Sequence, residues 1–219
     1  MSKHLHTDLQ SLERNLLALG ARVEEAVRLS IAALSQKRVD IAEEVIAGDR
    51  EIDLTEVALE EECLKVLALH QPVAGDLRFV TACMKITNDL ERIGDLSVNI
   101  SRRVRALSKW DPLPVPSLLS EMAEGSTAMV QSAIEAFVNE NGEKAREVMR
   151  DDDHIDAMHK RCLRDLMDQM KASPESINTL MLYSAVSRHL ERIADHATNI
   201  AEDVVYMADG DIVRHQREI

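Results

Sequence analysis

Apolar positions recur in alternating steps of four and three along two long stretches of the chain. The first runs Phe79, Cys83, Ile86, Leu90, Ile93, Ser97, Ile100, Val104, Leu107, and the second Tyr183, Val186, Leu190, Ile193, Ala197, Ile200, Val204, Met207. This is the seam of a helix that packs against neighbours in a left-handed bundle. A sparser stripe, Val45, Ile52, Leu59 and Val66, places one apolar residue every seven along another helix. Punctuation sets the limits. Gln71-Pro72-Val73-Ala74-Gly75 breaks one helix from the next, and Asn141-Gly142 separates two more. Ser173-Pro174 offers an N-cap with proline at the first helical position. The alternating prolines of Trp110-Asp111-Pro112-Leu113-Pro114-Val115-Pro116 forbid a helix there. The pattern predicts helices over 4–36, 38–70 and 75–108, then over 117–139, 143–172 and 175–208.

The halves are copies. LERIGDLSVNI (Leu90 to Ile100) aligns with LERIADHATNI (Leu190 to Ile200) at an offset of 100 residues, with seven of eleven positions identical. Asp49-Arg50-Glu51-Ile52-Asp53 aligns with Asp152-Asp153-His154-Ile155-Asp156 at an offset of 103, and the difference falls where loops are expected. The expected fold class is all-α: two tandem three-helix bundles related by an internal repeat. The first bundle covers 1–109 and the second 117–208, with a Pro-rich linker at 110–116 and a tail at 209–219.

Composition agrees and narrows the choices. Five aromatic residues, seven glycines and five prolines in 219 residues are too few for a sandwich or barrel. A net charge of −13 disfavours nucleic acid as a partner. The short basic cluster Arg102, Arg103, Arg105 and Lys109 falls at a helix end, where it complements the dipole. Charges interrupt every apolar run and the N-terminus has no leader-like stretch, so a cytoplasmic protein is expected. Cys63, Cys83 and Cys162 lack metal-ligand spacing and read as reduced, buried residues. The ten methionines read as fillers of gaps in the core.

Candidate chemistry lies in acids four residues apart: Asp49 with Asp53, Glu91 with Asp95, Asp152 with Asp156, and Glu191 with Asp195. Each pair sits off the apolar seam, and the stripes of neighbouring helices can converge on an outward-facing groove in each bundle. Like charges at this spacing destabilise a helix by about 0.2–0.5 kcal/mol per pair, so a merely solvated face has little reason to repeat them. Oxygen ligands suit hard ions such as Mg²⁺, Ca²⁺, Mn²⁺ or ferric iron. A solvated acidic face and a metal site both stay open on spacing alone. Asn99 and Asn199 extend the same stripes as weaker candidates. Asp156 and His159 have metal-ligand spacing too, but Glu56 stands at the equivalent place in the first copy. There is no glycine-rich phosphate loop, nucleophile with its base, or Glu-x-x-His, so no catalytic residue is nominated.

The doubled LERIGD/LERIADH block, the two D-x-x-I-D motifs, Gln71 to Arg78, and Lys85-Ile86-x-Asn88-Asp89 together resemble the PhoU family of phosphate-uptake regulators over about Leu9 to Met207. The resemblance implies multinuclear metal clusters held on the bundle surface by Asp49, Asp53, Glu91 and Asp95, and by Asp152, Asp156, Glu191 and Asp195. Iron, manganese, magnesium or zinc are the expected ions. It also implies a non-catalytic negative regulator of the phosphate-starvation response, acting through the phosphate ABC transporter ATPase and the phosphate-sensing histidine kinase. Contact with the membrane would come only through those partners, and a homodimer is expected. The alternatives are a helical metal-storage protein and a metal-dependent, phosphate-directed enzyme. Arg188 and His189 replace Asn88 and Asp89 in the second copy, so its ion is expected to be held differently or less tightly.

Overall fold

The computed structural model describes residues 3–213. Six α-helices follow in order: α1 (Lys3–Gln36), α2 (Val39–His70), α3 (Ala74–Leu107), α4 (Ser117–Val138), α5 (Gly142–Ala172) and α6 (Ile177–Asp209). No strand occurs among the described residues. Residues 214–219 of the expected tail lie outside them.

The helix ends have local causes. Lys37, Gln71 and Glu140 take left-handed backbone angles (φ 54°, 45° and 47°) just beyond α1, α2 and α4. The chain then turns back on the last carbonyls: Arg38 N–H donates to Ala33 (3.0 Å) and Asn141 N–H to Ala136 (2.9 Å). Asn141 also caps α5, its side chain accepting from Lys144 N–H at 3.0 Å. The expected start of the last helix at 175 is corrected. Pro174–Ser176 forms a 3-10 turn closed by Ser176 N–H to Ser173 carbonyl at 3.0 Å, and the side chain of Ser173 caps nothing. Proline sets a tight first turn, but the α ladder begins only at Ile177.

Helices α1, α2 and α3 pack pairwise, as do α4, α5 and α6, while α3 lies on α6 and α1 on α4. Every residue of the α6 seam is buried, and so is each of Val45, Ile52, Leu59 and Val66 on α2. Not all methionines fill the core: Met167 and Met181 are exposed, because their positions fall on outer faces. All three cysteines are buried and free, and burial pushes the Cys63 thiol up to about 12, which removes it as a nucleophile.

The α3–α6 contact runs antiparallel. Arg78 Nε donates to the Met207 carbonyl (3.4 Å), Lys85 Nζ pairs with the buried Asp203 (3.0 Å), and Asp89 Oδ1 meets His196 Nδ1 (2.7 Å). The linker is tied to this layer by the buried Tyr183, whose hydroxyl donates to the Leu113 carbonyl at 2.9 Å. Tyr183→Phe should therefore cost about 1–2 kcal/mol by leaving that carbonyl unpaired. Urea unfolding checks this, and an unchanged midpoint would show that the linker is not anchored there.

Candidate metal centre

Glycine sets the spacing at the first groove. A Cβ at Gly94 of α3 would come within 3.2–3.3 Å of the Ile52 side chain on α2, so the hydrogen lets these helices approach closely. Asp49 and Asp53 lie on α2 and Glu91 and Asp95 on α3, flanking this contact. The second repeat sets Asp152 and Asp156 of α5 beside Glu191 and Asp195 of α6.

The groove walls are half-buried, not freely solvated. Asp49, Glu91, Asp95, Asp152, Asp156 and Glu191 are all partly buried, while Asp53 and Asp195 are exposed. Burial, followed by Asp53 and Asp95, raises the pKa of Asp49; burial, then Asp95, does the same for Glu91. In the second repeat burial and the neighbouring Asp195 and Asp156 push Asp152 up to about 6. Glu191 and Asp195 are raised too, both first by burial, then Glu191 by Asp156 across the groove and Asp195 by its own helix neighbour Glu191, with Asp156 after it. Neighbouring carboxylates thus act on Asp49 and Glu91 in the first groove and on Asp152, Glu191 and Asp195 in the second. Asp49 Oδ1 is also buried with no hydrogen-bond partner, and the buried Glu91 Oε2 has only the ion-pair contact of Arg92 Nε at 3.1 Å.

The two grooves differ in how their oxygens converge. Asp156, Glu191 and Asp195 each offer an oxygen within 4.8 Å of the others. Three ligands on one hard ion, bound at about 2.0–2.6 Å, span such distances. In the first groove Arg92 lies against the acids, 3.0 Å from Asp95 and 3.1 Å from Glu91. Its counterpart Arg192 forms no such pair among the described residues. The contrast between halves therefore includes the arginine of the shared motif as well as Arg188, which acts on Glu191.

The asparagines have other partners. Asn99 accepts from Arg102 (3.2 Å), and Asn199 donates to Asp89 (3.1 Å) in the α3–α6 contact. Glu56 and His159, at equivalent positions, flank the grooves. Glu56 raises Glu91, while Asp156 and Asp195 act on His159 against the burial that lowers its pKa. His159 Nδ1 is held by Ser187 Oγ at 2.7 Å, which leaves Nε2 as its free ring nitrogen. The i+3 spacing from Asp53 and Asp156 was the signal for both.

The basic cluster is likewise divided. Arg105 alone occupies the last turn of α3, paired with Glu43 at 3.2 Å. Arg103 is partly buried with its Nε unpartnered. Both ring nitrogens of His189 are buried and unpartnered, and burial with Arg103, Arg192 and Arg188 nearby pushes this imidazole down to about 4.

A family model described as the PhoU domain matches twice, over residues 16–104 and 119–204. A phosphate-specific transport system accessory protein PhoU homolog of Aquifex aeolicus is 38% identical over 97% of this chain and 96% of its own. The protein of that name from Escherichia coli K12 is 30% identical over 98% and 91%. The crystal structure of PhoU from Pseudomonas aeruginosa superposes with a TM-score of 0.91 at 33% identity, covering 94% of this chain and 99% of that one. The phosphate transport system regulatory protein PhoU from Streptococcus pneumoniae gives 0.89 at 33% identity, covering 95% and 99%.

Proposed function

The chain belongs to the PhoU family, and from that premise we propose that it is a metal-binding accessory protein of phosphate uptake that restrains the phosphate-starvation response. Its relatives carry the name of transport accessory proteins, and the family is not one of enzymes. The observation that carries the metal reading is the repeated half-buried groove, with four acids in each copy whose charges oppose one another.

The donor set fits a hard cation. Asp49, Asp53, Glu91 and Asp95 would hold one group of ions, and Asp152, Asp156, Glu191 and Asp195 the other, with Glu56 and His159 at their edges. An ion there supplies the positive charge that carboxylates in a shared groove lack. All-oxygen ligation favours magnesium, manganese or ferric iron, and the His159 nitrogen widens the second site to zinc or ferrous iron. The long rigid helices offer wide faces to partners, and the acidic field steers them towards basic surfaces. The phosphate ABC transporter ATPase and the sensor histidine kinase are the proposed partners. No helix among the described residues is long and apolar enough to cross a membrane, so contact with the membrane would come through them.

Two variants test the metal sites. Glu91→Ala with Asp95→Ala should remove roughly half the bound metal, and Glu191→Ala with Asp195→Ala the other half. The count is made by mass spectrometry of metals on protein purified without a nickel column. Unchanged stoichiometry in both would reject the assignment. The regulatory role is read from a phosphate-starvation promoter in a deletion strain complemented with this gene. A promoter fully on in high phosphate, despite well-expressed folded protein, would reject it.

A further inference from the structure

The antiparallel α3–α6 contact has two ends that the internal repeat makes equivalent. Adding 100 to a residue of α3, and subtracting 100 from one of α6, carries one end onto the other. The first end is satisfied within the chain. Lys85 Nζ lies 3.0 Å from Asp203, and Asp89 Oδ1 meets His196 Nδ1 at 2.7 Å and Asn199 Nδ2 at 3.1 Å.

At the second end both carboxylates are replaced by bases. Arg103 stands where the first end has Asp203, and His189 where it has Asp89. The long side chains of Lys85 and Tyr206 become Ala185 and Ala106, so the equivalent space is lined by small residues. Arg103 Nε and both His189 ring nitrogens are consequently buried without partners, and Arg103 forms no ion pair among the described residues. Buried donors of this kind call for a bound group, and a guanidinium calls for negative charge. Water can satisfy the imidazole but leaves the charge uncompensated.

We propose that this end of the α3–α6 contact binds an inorganic oxyanion, held by the Arg103 guanidinium and the His189 imidazole in place of the carboxylates its twin carries. Arginine suits a tetrahedral oxyanion because its forked donors engage two oxygens at once. With a net charge of −13, the chain repels free anions generally, so retention here requires this partly buried guanidinium, with its Nε enclosed, rather than a diffuse basic field. The site is independent of the acidic grooves.

The test uses full-length protein stripped with chelator, so that no metal can hold the anion, and radiolabelled inorganic phosphate in equilibrium dialysis at physiological salt. Saturable binding is expected, displaced by sulfate but not by an equal concentration of chloride. Arg103→Gln should weaken it by roughly tenfold or more, the loss of one charge-assisted pair. Ala185→Glu reproduces the Lys85–Asp203 pair with its signs exchanged, at a position whose twin accommodates a lysine. It should abolish phosphate binding and raise the melting temperature in phosphate-free buffer. Absence of saturable binding at millimolar phosphate, displacement by chloride, or unchanged binding in both variants would overturn the proposal.

Discussion

Leu190→Ala is expected to lower stability by about 2–5 kcal/mol, the usual cost of a cavity at a fully buried leucine. Leu190 has no exposed surface and lies mid-seam on α6, which packs on α4, α5 and α3 at once. For a chain of this size the melting temperature should fall by roughly 5–15 °C. Leu54→Ala, at a position 60% exposed on α2, should stay within about 0.5 kcal/mol. Calorimetry of the two variants side by side checks the packing, and equal melting temperatures would contradict it.

The second large effect couples pH to metal. Asp152 has an ordinary value of 3.8 and a folded value of about 6. A raised folded value means that the folded state takes up its proton more readily. Its stabilising contribution is full below about pH 4 and is lost as pH rises through 6. Two units correspond to about 3 kcal/mol without screening, but Asp152 is half-exposed and solvent reduces this to about 1 kcal/mol. Asp152→Asn should therefore stabilise chelated protein by about 1 kcal/mol at neutral pH, and by almost nothing near pH 4. Buried His189 is shifted downward, to about 4, and its contribution is lost as pH falls through that value. It acts in the opposite direction, so the difference between wild type and variant isolates the acid. Metal should reverse the ranking, because it binds ionised carboxylates. With free Mn²⁺ at a hundred times its Kd, wild type gains about 2.7 kcal/mol. Urea unfolding at several pH values, with chelator or with Mn²⁺, reads both effects. A wild type indifferent to Mn²⁺ at neutral pH would remove the metal from the account.

Much of the architecture was legible because the helices are long and their seams regular. The four-three stripe fixes which face of α6 is buried, and the doubled motif fixes that two copies exist. Residue spacing does not report distances between helices. The acids were visible as i, i+4 pairs, but their half-burial depends on how closely Gly94 lets α3 approach Ile52. Nothing in the sequence distinguishes an arginine that forms ion pairs with the groove acids, as Arg92 does, from one that acts on them without an ion pair, as Arg192 does among the described residues. The fate of Asn199 was hidden for the same reason. Its position on α6 continues the acidic stripe, yet its partner, Asp89, comes from the other repeat. Arg103 looked like one of several basic residues at a helix end until the structure showed its Nε buried without a partner.

That contact also bears on the history of the chain. If a lone first repeat paired with a second copy of itself in the same antiparallel register, Lys85 would face Arg103 across the seam. Two copies of the second repeat would set Asp203 opposite Ala185, where the intact chain has Lys85. Neither half could now rebuild the joint on its own. The duplicated modules are therefore not interchangeable at this seam: each supplies the charge that the other lacks.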